Sequence, residues 1–101
     1  MTLGSEIAAA RKKAGLSQKD LAGETLKEDG APISPQFLND IERDRRRPGT
    51  HILNALAARL GLDPDRLHLL AGQVPPDLVE GRADPHRVDQ VIAAFRKTYT
   101  K

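Results

Sequence analysis

The chain has no cysteine and no tryptophan, and its only aromatic residues are two Phe and one Tyr in 101 residues. Without thiols there is no disulfide framework and no thiolate metal site. No stretch approaches the roughly 20 consecutive apolar residues of a membrane helix. The N-terminus also lacks the basic-then-apolar pattern of a secretory leader, so the expectation is a soluble, cytoplasmic protein with no membrane association. Long alternating runs of Val, Ile, Thr and aromatics, the mark of strands, are missing as well. Charge of one sign is scarce: 16 Lys and Arg stand against 14 Asp and Glu, a net charge of +2 that does not by itself announce a nucleic-acid partner.

What is present is 39% hydrophobic and 30% charged, which fits one small globular domain with an appendage and excludes a large enzyme fold. A core made of Leu, Ile, Val and Ala is most easily built by helices packing short side chains closely. The fold class is therefore expected to be all-α.

Leu3, Ile7, Ala10 and Ala14 recur at helical spacing and stop at Gly15, so a first helix covers about 3–14. Ser17 and Asp20 have the spacing of a capping box, which opens a second helix from Gln18 to about Lys27, with Leu21, Ala22 and Leu26 inward. Gly30 and Pro32 break the chain, and Ser34-Pro35 restarts it with a cap and a proline at the first helical position. This third helix covers about 35–44, with Leu38 and Ile41 inward and Phe37 partly so. Ile52, Leu53, Leu56, Ala57 and Leu60 mark a fourth helix closed by Gly61-Leu62. Asp63-Pro64 caps a fifth, with Leu67, Leu70 and Ala71 leading to Gly72. Residues 73–83, with Pro75-Pro76 and Gly81, read as a linker. Asp84-Pro85 opens a last helix over 84–101 that carries Val88, Val91, Ile92, Phe95 and Tyr99 on one stripe. The organisation predicted is thus a domain over 1–72, a linker over 73–83 and a C-terminal helix.

The outer side of the third helix carries Gln36, Asn39, Asp40 and Arg43, spaced i, i+3, i+4 and i+7. Gln and Asn can give and take a hydrogen bond at once, as the adenine edge requires, and Arg suits the two acceptors of guanine. Asp40 could accept from a cytosine amino group; a pairing with Arg43 or Arg47 is the expected role. Periodicity alone would equally allow an ordinary solvated face. Two places could anchor phosphates. One is the start of the second helix, where Ser17, Gln18 and Lys19 combine unpaired backbone N–H groups with side-chain donors. The other is Arg45-Arg46-Arg47, which leads to Thr50 and His51. There is no phosphate loop and no GxGxxG, and His51, His68 and His86 fall on separate elements, so no catalytic residue, metal or cofactor is expected. His68, beside Leu67 and Leu69, reads as a partly covered surface residue. Phe37, Phe95 and Tyr99 read as core or interface rather than as stacking platforms for single strands.

Arg11, the turn Gly15-Leu16-Ser17-Gln18, Leu21-Ala22, the run from Ile33 to Arg43, Pro48, and Leu56-Ala57 with Leu60-Gly61-Leu62 together resemble the Cro/C1-type helix-turn-helix family, the XRE family of bacterial and phage regulators, over residues 3–72. The resemblance implies a five-helix, lambda-repressor-like DNA-binding domain, here with an additional C-terminal helix. It further implies a sequence-specific transcriptional regulator, a repressor, that reads the major groove of double-stranded DNA with its third helix. Such proteins bind pseudo-palindromic sites as dimers, with half-sites about one helical turn apart. It also implies an internal ion pair between Arg11 and Glu42, which would fix the tilt of the reading helix.

The chain departs from the family in the extended segment over 23–31, whose Glu24, Lys27, Glu28 and Asp29 sum to −2 and are expected to point away from phosphates. The stripe from Val88 to Tyr99 must be buried on its own body, on a second copy in a homodimer, or on a partner protein. The last case is the alternative reading, an antitoxin-like or complex-forming regulator. A protein-interaction module that keeps the fold without binding DNA is the reading from a different class.

Overall fold

The computed structural model describes residues 2–99; Met1 of the predicted domain, and residues 100 and 101 of the predicted last helix, lie outside the described residues. The described chain is helical: α1 (Leu3–Lys13), α2 (Gln18–Glu24), α3 (Pro35–Glu42), α4 (Thr50–Leu60), α5 (Pro64–Leu70), α6 (Pro76–Val79) and α7 (Pro85–Tyr99).

Local chemistry sets most of the boundaries. Ser17 and Asp20 form the capping box of α2. Ser34 caps α3 by accepting from the Phe37 N–H, with Pro35 in the first turn. Asp63 caps α5 by accepting from the Asp65 N–H, and Asp84 accepts from the Arg87 N–H at 2.8 Å at the start of α7. Each cap satisfies backbone donors that a helix start leaves open. Gly61, at φ 67°, ends α4 in the left-handed conformation that a side chain would strain.

Ile7, Leu21, Leu38, Ile41, Leu53, Leu56 and Leu67 have no exposed surface and form one cluster with Leu3, Ala22, Ile33, Ile52, Ala57 and Ala71. Each fully buried Leu or Ile contributes about 1.5–3 kcal/mol relative to an exposed one. Ala14, read as part of the first apolar series, is instead the exposed C-cap of α1. The buried face of that helix is completed by Gly4 and Arg11.

Four further expectations are corrected. Helix α2 stops at Glu24 rather than Lys27, because Thr25 leaves the helix with extended backbone and is buried, its hydroxyl donating to the Leu21 carbonyl at 2.7 Å. Leu26 is consequently 44% exposed instead of inward. The segment beyond is a small hairpin, held by an antiparallel bridge between Leu26 and Pro32 and by backbone bonds from Lys27 to Ala31 and from Ile33 to Thr25. The predicted linker contains the one-turn helix α6, so the described chain has seven helices where six were expected. His68 is only 2% exposed, because α5 packs on α4 and Nε2 of His68 lies 3.0 Å from Oδ1 of Asn54.

Helix α7 packs back on α5. Arg87 reaches both Asp65 on α5 (2.6 Å) and Asp77 on α6 (2.7 Å). The Arg87 guanidinium holds the Asp77 carboxyl below the usual carboxylate range, and Asp65 and then Asp77 raise the pKa of Arg87. Arg66 joins Glu6 of α1 at 2.8 Å, which raises its own pKa, and the Tyr99 hydroxyl donates to the Leu69 carbonyl. The stripe read as one face is divided by this docking. Val91 is buried with Ala94, Val88 is half-buried, and Ile92, Phe95 and Tyr99 remain 43%, 51% and 53% exposed.

Helices α1 and α3 approach closely at Gly4. A Cβ on Gly4 would stand 2.3 Å from the Glu42 carbonyl oxygen and 2.6 Å from that of Ile41. Backbone at the end of a packed helix cannot give by that amount, so Gly4→Ala should destabilise the protein by about 1–3 kcal/mol. Gly23 lies inside α2 with nothing within 4 Å of its would-be Cβ, so Gly23→Ala should stabilise by about 1 kcal/mol. Urea midpoints for the two variants should therefore move in opposite directions; a shared shift would contradict this geometry.

Candidate nucleic-acid interface

Helix α3 is anchored by Leu38 and Ile41, which turns Gln36 and Arg43 to solvent and leaves Asn39 and Asp40 half-buried beside them. The four residues singled out for base reading are thus brought to one outer face. Arg43, the C-cap, is exposed. Gln36 donates from Nε2 to Oδ1 of Asp40 at 3.0 Å. The cation nearest Asp40 is Arg45 at 4.0 Å, not the expected Arg43 or Arg47, because the chain reverses at Asp44 and returns Arg45 over the last turn, where its N–H donates to the Asp40 carbonyl.

Beneath this face is a network of charge and amide groups. Nε of Arg11 donates to Oε2 of Glu42 at 2.7 Å and Nη2 to Oε1 at 3.0 Å, while Nη1 donates to the Leu16 carbonyl at 2.8 Å. The side chains of Arg11 and Glu42 are only 11% and 6% exposed. Gln18 joins them, its Nε2 donating both to Oε1 of Glu42 and to Oδ1 of Asn39, each at 3.1 Å. The Gln18 side-chain amino group is therefore committed inward.

The rest of the α2 start is partly used by the protein itself. The Ser17 hydroxyl accepts from the Asp20 N–H and the Ser17 N–H donates to the Asp20 carboxylate. The Ser17 N–H first, and then the Ser17 hydroxyl, hold the Asp20 carboxyl below its ordinary range, so an anion already occupies part of this helix end. Lys19 is exposed alongside.

The three consecutive arginines diverge. Arg46 lies over the Phe37 ring, 4.8 Å from its centroid. Arg47 approaches Gly72, and both Arg46 and Arg47 line a cleft of about 310 Å³ with Asp44, Leu70, Ala71 and Tyr99. Arg45 is open, with 62% of its side chain exposed. Thr50 and His51 are exposed at the start of α4, whose N-cap Gly49 provides no side-chain hydrogen bond. The inserted hairpin does not point away from this corner: Lys27 and Glu28 line a cleft of about 270 Å³ with residues 49–52.

Asp44 does not stand out in the sequence. It has φ 59°, and its carboxylate accepts from the Gly4 N–H at 2.9 Å, tying the start of α1 to the loop that carries the arginines. The available signal is an Asp at the very end of the predicted helix, where Gly is usual and Asn or Asp is tolerated.

Residues 7–67, from α1 into α5, match the helix-turn-helix family model. The immunity repressor protein of Bacillus phage phi105 is 42% identical over 62 residues, which is 61% of this chain and 39% of that protein. The HTH-type transcriptional regulator DdrOP3 of Deinococcus deserti is 32% identical over 109 residues, 100% of this chain and 80% of that protein. The chain thus spans less than half the length of the phage repressor and most of the length of the Deinococcus regulator. No solved structure matches the chain.

Glu42 supports the outer face of α3 from below, since its carboxylate faces Arg11 and Gln18 rather than solvent. Glu42→Ala would strand a buried guanidinium, at a cost of about 3–5 kcal/mol. The expected result is a much lower melting temperature, with DNA binding disappearing along with the fold. A Glu42→Ala protein that melts like the wild type would contradict this.

Proposed function

Because the chain belongs to the Cro/C1-type helix-turn-helix family of transcription regulators, we propose that it is a repressor that binds double-stranded DNA sequence-specifically as a homodimer, inserting α3 into the major groove. The observation that carries this reading is the outer face of α3, where Gln36, Asn39, Asp40 and Arg43 lie together and the basic loop follows at once. Hydrogen-bonding side chains on a rigid helix suit base edges, and the adjoining cations suit the backbone on either side. Arg45, Arg46 and Arg47, with Lys19 and the backbone N–H groups of Gln18 and Lys19, are the phosphate anchors of this reading. Thr50 and His51 at the uncapped start of α4 add a second anchor, where the helix dipole favours an anion. The repressor assignment leans on the phage relative, whose name is that of an immunity repressor.

The dimer is supported by the part of α7 that its own body leaves uncovered. Ile92, Phe95 and Tyr99 form an apolar row on a helix already fixed by Arg87 and by Arg66, whose Nη1 also donates to the Thr98 hydroxyl at 3.4 Å. A second copy meeting this row would present a second reading helix, as a pseudo-palindromic operator with half-sites about one turn apart requires. The protein would act in the cytoplasm, on DNA; no helix among the described residues is long and apolar enough to cross a membrane.

Selection of bound sites from random duplex DNA tests binding, symmetry and half-site spacing together. Replacing Arg45, Arg46 and Arg47 with Gln should weaken binding to all sequences and flatten the salt dependence, by roughly 0.9 in slope for each phosphate that these side chains neutralise in the wild type. An unchanged slope would remove the basic loop from the interface. Sedimentation of the full chain should show a dimer that Phe95→Lys converts to a folded monomer. A wild-type monomer would instead assign the apolar row to a different protein, as in a complex-forming regulator.

A further inference from the structure

We propose that two carboxylates beneath and beside α3, Glu42 and Asp40, set which base edges the helix can read, by fixing which end of each neighbouring amide faces the groove. The inference rests on α3 being the reading helix. An ionised carboxylate can only accept hydrogen bonds. Glu42, ionised against Arg11, therefore requires the amino end of the Gln18 amide, and Nε2 is the atom found 3.1 Å from Oε1. The second hydrogen of that nitrogen points to Asn39, and only the Asn39 carbonyl can receive it; Oδ1 lies at 3.1 Å. Polarity is thus passed from Arg11 through Glu42 and Gln18 to Asn39, whose Nδ2 is left for the groove.

An Asn that reads adenine needs its oxygen and its nitrogen side by side on the base edge. Here the oxygen is held back by Gln18, so Asn39 acts as a donor, and its match is the O6 and N7 acceptors of guanine. At Gln36 the sign is opposite. Asp40 holds its Nε2 at 3.0 Å, which leaves Oε1 outward as an acceptor for the amino group of adenine or cytosine. The reading face therefore has a donor at 39 and an acceptor at 36, although both side chains are amides that could have served either way.

The test is base substitution at every position of the selected half-site, with wild type and single variants. Asn39→Ala identifies the position that Asn39 reads, by loss of preference there alone. In the wild type that position should be guanine. Gln18→Met, which removes the donor while keeping the length of the side chain, should reduce the preference for guanine over adenine at that position by about tenfold, the scale of one specific base contact. Asp40→Asn should likewise relax the position assigned by Gln36→Ala. Adenine at the Asn39 position in the wild type would overturn the inference and leave the reading helix intact. So would a Gln18→Met protein that loses affinity equally for every sequence. If Asn39→Ala and Gln36→Ala leave all positions unchanged, α3 is not the reading helix and both conclusions fall.

Discussion

The pair between Arg11 and Glu42 is the contact on which the geometry of the outer face of α3 depends. It joins the last turn of α1 to the last turn of α3, and the Arg11 guanidinium also closes the turn into α2 through the Leu16 carbonyl. Three helices are thereby referred to one planar cation. Gly4 brings α1 within backbone contact of the same end of α3, and Asp44 caps the Gly4 N–H from the far side. Apolar packing through Ile7, Leu38 and Ile41 supplies the bulk of the attraction, yet it is non-directional and would accept small rotations of α3. The ion pair and the Gly4 contact are directional, and they fix how the outer face is presented.

A second system of ion pairs works on the other side of the molecule. Arg87 bridges Asp65 and Asp77, and Arg66 reaches Glu6, so α1, α5, α6 and α7 are linked by charges at helix ends. These groups are partly exposed, and pairs of this kind contribute little stability individually. Their effect is orientation. With Arg87 and Arg66 engaged and Val91 and Ala94 buried, α7 cannot rotate to cover Ile92, Phe95 and Tyr99 without breaking several contacts at once. The exposed row is thus a fixed property of the docked helix rather than of a loosely attached tail.

Much of this is legible in the residues because caps are local. Ser17 with Asp20, Ser34-Pro35, Asp63-Pro64 and Asp84-Pro85 each involve groups within one turn, and each marks a helix start in the structure. Spacing alone misplaces the end of α2 because Leu26 continues the apolar series, whereas the burial of Thr25 and its bond to Leu21 depend on the fold. The burial of His68 likewise depends on Asn54, one helix away. At the candidate site, residue types and face can be read, but the inward turn of Gln18 cannot. It requires α2 and α3 to be placed within hydrogen-bonding distance, which no spacing along the chain specifies. Asp44 escapes for a similar reason: its partner, Gly4, is 40 residues away.

The charge count that says so little by itself becomes informative once partners are known. Residues 17–51 hold six Lys or Arg against seven Asp or Glu, a balance that argues against a polyanionic ligand. Glu42 and Glu24, however, are neutralised by Arg11 and Arg59, both from outside that window. Asp20 and Asp44 are turned onto backbone N–H groups at helix starts, and Asp29 onto the Ala31 N–H within the hairpin. The acids are thus largely committed to holding the fold, while Arg43 and Arg45 are exposed beside the outer face of α3. A phosphate within a Debye length, about 8 Å at physiological salt, responds to the charges nearest to it and is screened from the remainder. A near-neutral protein can in this way present a basic corner, and the position of its carboxylates matters more than their number.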